Sequence, residues 1–70
     1  MKKTFKSQLR LYEVLQKMKV TNRELARRIG VSEQLIGRYV NERAYPSLQR
    51  LHEIANALEM KVKDLFEPLD

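Results

Sequence analysis

The sequence predicts an all-α domain of five short helices packed into one compact bundle. Three observations predict it. Apolar residues recur at three- and four-residue spacing along the whole chain, not in alternation. Glycine and proline occur only twice each in 70 residues, so breaks are few. Two helix-start signatures stand on either side of a single glycine, Gly30. The length suits one domain with a modest core. With no cysteine there is no disulfide framework and no thiolate zinc site.

Leu11, Leu15 and Met18 fall at i, i+4 and i+7 with Val14 beside them, which predicts a first helix over about 8–18, capped by Ser7. Thr21-Asn22-Arg23-Glu24 then fits a capping box. The Thr21 hydroxyl accepts from the Glu24 amide while the Glu24 carboxylate reaches back. Val20 and Leu25 take the staple positions, and Leu25, Ala26 and Ile29 form the buried stripe of the second helix. Gly30 ends it, because a left-handed backbone costs glycine nothing.

Val31 alone separates that glycine from the next N-cap, Ser32. Val31 and Ile36 are again staple positions, and Leu35, Ile36, Tyr39 and Val40 give the third helix, about 33–40, a wide apolar face. Leu35 reads as core or edge-of-core, with contact to a thymine methyl as the less favoured reading. Asn41, which tolerates the left-handed conformation, is expected to end this helix. A polar loop to Tyr45 follows. Ser47 caps a fourth helix with Leu48, Leu51, Ile54, Ala55 and Leu58 on one face. Val62, Leu65 and Phe66 predict a fifth, stopped before Pro68. The expected organisation is a flexible basic arm over 1–7, the folded domain over 8–67, and a tail over 68–70.

The net charge of +5 is segregated. Residues 1–43 carry eleven Lys and Arg against four Glu, whereas residues 44–70 carry three basic residues against five acids. One-sided positive charge is what a polyanion-binding surface requires. No apolar run approaches a membrane span, and the basic start lacks the apolar stretch of a signal peptide. The expectation is a soluble, cytoplasmic, nucleoid-associated protein. His52 is the one histidine and reads as a surface residue. Without paired ligands or catalytic spacing, the sequence predicts no metal site, no cofactor and no enzymatic activity.

Two short helices joined by a glycine turn, the second opened by a serine cap, are the elements of a helix-turn-helix. In that motif the second helix presents side chains to base edges in the major groove. With Ile36, Tyr39 and Val40 facing the core, Glu33, Gln34, Gly37 and Arg38 remain on the outer face. Gln bonds bidentately to adenine and Arg to guanine, and Glu accepts from the cytosine amino group. Glu33 reads more readily as a helix-dipole partner than as a base reader, whereas Gln34 and Arg38 read as base contacts. Gly37 inside a helix costs about 1 kcal/mol relative to alanine. It either permits close approach to DNA or is simply tolerated. Arg23, Arg27 and Arg28 divide evenly between a solvated basic face and phosphate contact. Lys17, Lys19 and Arg50 read as surface charges. Tyr45 either donates to a phosphate or packs over the fourth helix. The Lys2, Lys3 and Lys6 arm reads as a basic tail ahead of a minor-groove contact.

The run Thr21 to Ser32, then Ile36 to Tyr39, Pro46 to Leu51, Ile54 to Leu58 and Asp64 to Phe66 together resemble the Cro/repressor-like family (lambda-repressor-like, Xre-type) of helix-turn-helix domains. The resemblance covers about residues 9–67. It implies a five-helix, lambda-repressor-like domain acting as a prokaryotic or phage transcriptional regulator, commonly a repressor that binds palindromic operators on double-stranded DNA as a dimer through helices 4 and 5. By position, Glu33, Gln34 and Arg38 match the family's base-reading sites, Asn22 its helix 2 phosphate contact, and Asn41 and Arg43 its backbone-contacting loop. The sequence departs from the family at Leu15 and Val40, an apolar pair where many members carry an ion pair. It also places Glu42 and Glu59 where glycines are common, and Lys61 in place of a serine cap. The alternative reading is the same fold kept as an antitoxin or adaptor that binds a protein partner. The absence of a separate sensor domain and the apolar segment Val62, Leu65 and Phe66 motivate it.

Overall fold

The computed structural model describes residues 9–66. Within them the chain forms four α-helices, α1 (Leu11–Met18), α2 (Asn22–Ile29), α3 (Glu33–Val40) and α4 (Leu48–Ala57), and closes on a 3-10 turn, Val62–Leu65. The expected fifth helix is therefore a single tight turn. It opens from Lys61, which sits in extended backbone. The Asp64 carboxylate accepts from the Lys61 amide at 3.1 Å and pins the start of that turn. The N-terminal arm, the C-terminal tail and the Ser7 cap lie outside the described residues. The first helix begins at Leu11, later than its apolar spacing suggests, and no side chain caps it. The Arg10 amide instead donates to the Leu65 carbonyl at 2.8 Å, joining the entry of α1 to the closing turn.

Three helices start as their residues dictate. Thr21, Ser32 and Ser47 each sit in extended backbone and accept from the amide three residues on, at 3.0, 3.1 and 3.1 Å. The reciprocal half of the box at α2 differs from expectation. The Glu24 carboxylate turns away from the cap to two arginines of its own helix.

All four helices end alike. The amides of Val20, Val31, Arg43 and Met60 each bond back to the carbonyl five residues earlier, at 2.8–3.0 Å, and the residue before each is left-handed. Those residues are Lys19 (φ 59°), Gly30 (φ 77°), Glu42 (φ 62°) and Glu59 (φ 59°). Asn41 is not left-handed. Its amide still donates to the Gly37 carbonyl at 2.9 Å, so the left-handed step falls one residue later, on Glu42.

Packing places α2 against both α3 and α4, α1 against α3, and the 3-10 turn against α4. The core draws Leu11, Val14 and Leu15 from α1, Leu25 and Ala26 from α2, and Ile36 and Tyr39 from α3. Leu51, Ile54 and Ala55 come from α4, joined by Leu58 and Leu65. Among the described residues no polar or charged side chain is fully buried. Leu15 is buried in this cluster and the half-buried Val40 packs against it, so neither position carries a charge into the core. Ile29 is half-buried and packs at the cluster's edge. Two residues of the apolar helical spacing are exposed, Met18 at 40% and Leu48 at 67%. Each is the terminal residue of its helix and overhangs the core that its stripe otherwise meets.

A left-handed step costs a non-glycine residue about 1–2 kcal/mol, and glycine returns part of that through its unfolded-state entropy. Glu42→Gly and Glu59→Gly are each expected to stabilise the domain by about 0.5–1 kcal/mol. Gly30→Ala should destabilise it by at least as much. Urea denaturation midpoints check all three.

Candidate nucleic-acid interface

The roll of α3 decides what it shows to solvent. Ile36 and Tyr39 are 0% and 7% exposed, and Leu35 and Val40 lean on the core at half burial. Glu33, Gln34 and Arg38 are consequently exposed, with Gln34 and Arg38 one helical turn, about 6 Å, apart along the axis. Gly37 lies between them in sequence, and a Cβ built there would meet nothing within 4 Å. Its glycine is therefore not demanded by packing within the domain. Glu33 occupies the first turn, where a carboxylate favours the helix dipole.

The loop after α3 folds back on the helix end. The Arg38 carbonyl accepts from the Arg43 amide at 2.8 Å and the Ala44 amide at 3.3 Å. This holds the exposed Asn41 and Arg43 beside the last turn of α3. Tyr45 is 66% exposed, so its ring does not bury against α4.

On α2, Asn22 and Arg23 open the first turn. Asn22 is half-buried at the rim of a shallow, open depression that Leu15, Gln16, Lys19, Val20 and Thr21 complete, while Arg23 is exposed. Arg27 is exposed too, but it is paired with Glu24. Arg28 donates through Nε to the other Glu24 oxygen at 3.0 Å and through Nη1 to the Ala57 carbonyl at 3.1 Å. The structure thus brings Glu33, Gln34, Gly37 and Arg38 together on one helix with Arg43 folded beside them. It commits Arg27 and Arg28 in part to a carboxylate.

Arg50 differs from a plain surface charge. It is half-buried on α4 and donates to Glu53 at 2.8 Å. The hydroxyl of Tyr39 on α3, more than Glu53, raises its pKa above the ordinary arginine value, which partial burial opposes. The Arg28 link to Ala57 is only half legible in the sequence. The i, i+4 spacing of Glu24 and Arg28 signals the first half of that link, but nothing local signals the second. His52 is exposed, as expected of a surface residue. Among the described residues no helix is long and apolar enough to cross a membrane, and no cluster of three His, Cys, Asp or Glu is placed to hold a metal.

A capped helix, a left-handed glycine turn and a second capped helix with a polar outer face define a helix-turn-helix domain. The chain belongs to the family of Cro/C1-type HTH DNA-binding domains, whose model matches residues 10–70. A search of curated proteins finds no match.

The Arg28 guanidinium, and next the Arg27 guanidinium, hold the Glu24 carboxyl below its ordinary pKa of 4.5. A folded-state pKa lowered in this way adds stability above the ordinary value and loses it as the pH falls through the lowered one. Glu24→Gln should therefore melt below wild type at neutral pH. That gap should close as the pH drops below about 4.5, as thermal melts across pH would show.

Proposed function

We propose that this domain is a sequence-specific, double-stranded-DNA-binding transcriptional repressor that inserts α3 into the major groove. The observation that carries the reading is the exposure of Gln34 and Arg38 on a helix whose opposite side is locked into the core. In that pose Gln34 reads adenine and Arg38 reads guanine, and Glu33 chiefly serves the helix dipole. Asn22, Arg23, Asn41, Arg43 and the exposed Tyr45 contact phosphates on either side, and Arg27 joins them by leaving Glu24. Two copies associate through α4 and the 3-10 turn, which places their half-sites about 34–36 Å apart on a palindromic operator. Repression follows from occupancy of such a site, in the cytoplasm of a prokaryotic or phage-infected cell.

The partner-binding alternative gains little from the structure. Its motivating segment is taken up by the domain's own core, with Leu65 fully buried and Val62 and Phe66 packed at its edge.

Site selection from random duplexes should enrich one motif, and binding to it should weaken steeply with salt. Arg38→Ala should relax the preference at one base pair by about 1–3 kcal/mol while leaving the others. Equal binding of all duplexes by the wild type contradicts the reading. Gly37→Ala separates close approach from mere tolerance. The added methyl meets open space inside the domain, so folding should gain about 0.5–1 kcal/mol. Affinity for the selected duplex should nevertheless fall, because the methyl faces the groove. Paired melting and titration experiments check both signs.

A further inference from the structure

We propose that Arg28 is a positioning residue for DNA reading, holding α2 and the α3 packed on it at a fixed tilt on α4. The inference rests on the DNA-reading function proposed above. Most polar side-chain contacts described here are local. Arg10 with Glu13, Gln16 with Tyr12, and Arg50 with Glu53 each span three or four residues. The Arg28 bond to the Ala57 carbonyl joins residues 29 apart in sequence.

Its chemistry suits a fixed strut. Ala57 is the last residue of α4, where carbonyls lack helical partners and the helix dipole is negative. A guanidinium there satisfies an orphan acceptor and meets favourable charge. The same guanidinium is oriented from behind by Glu24, so its planar fork bridges α2 and α4 at once. Glu24 thereby sorts two neighbouring arginines. Arg28 is turned to α4, while Arg27 keeps a side chain that is 73% exposed. Since α2 packs on α3 as well as α4, a change in its tilt moves the base-reading helix with it.

The test measures specific and non-specific DNA affinity as a function of salt for Arg28→Met and Arg28→Lys. It is run at a temperature where circular dichroism shows each variant fully folded. The specific-to-non-specific ratio should fall about two- to five-fold in Arg28→Met, the range open to a half-exposed ion pair. Its salt slope should not change, and lysine should fail to restore the ratio, because an ammonium lacks the fork that bridges both acceptors. A slope reduced by about 0.9 and restored by lysine would make Arg28 a phosphate contact and overturn the proposal. So would an unchanged ratio. If Arg28→Met does not fold, Glu24→Gln releases the same guanidinium from one side. It must lower the ratio in the same direction, and no effect there overturns the proposal. A wild type without sequence preference overturns the functional reading and this inference with it, whereas a preference kept intact in the variants overturns this inference alone.

Discussion

The burial of Ile36 and Tyr39 constrains the third helix more than any other contact, because a helix anchored at two points one turn apart cannot roll. With those side chains sealed against Leu25, Ile54 and the rest of one apolar cluster, Gln34 and Arg38 have nowhere to point but outward. The same cluster contains no buried charge among the described residues. Leu15 and Val40 both pack in or against it as apolar residues, with no charge to desolvate. The surface proposed to meet DNA is thus defined by what the core removes from solvent.

Helix ends set the second level of organisation. Side-chain caps at Thr21, Ser32 and Ser47 begin three helices, and one repeated left-handed motif ends all four. The turns from α1 to α2 and from α2 to α3 are equally short, and of the four left-handed residues only the one in the second turn is glycine. Elsewhere the chain accepts Lys19, Glu42 and Glu59 in that conformation. At Glu42 the strain sits beside the candidate interface, where the motif folds Arg43 against the end of α3.

Legibility from the sequence followed the range of each interaction. Thr21, Gly30, Ser32 and Ser47 were readable because a cap or a left-handed turn depends on neighbours within four residues. Met18 and Leu48 keep the apolar spacing of their helices yet stay exposed, because periodicity cannot show where a helix outruns its partner. The fifth helix was overestimated for a similar reason, since its apolar spacing fits one turn as well as three. Gln34 and Arg38 were readable as the residues left over once the core was assigned. The full tie of Arg28 was not, because its second partner, Ala57, lies on another helix.

The most direct measurement of the central claim is a set of intermolecular contacts in solution. Side-chain N–H resonances of Gln34 and Arg38 would be followed by NMR as the domain binds its selected duplex. The account predicts that both resonances shift on binding, are slowed in exchange with water, and show close contacts to base-edge protons of the major groove. It is contradicted if these resonances stay at their free positions while the duplex perturbs α4 and the 3-10 turn instead.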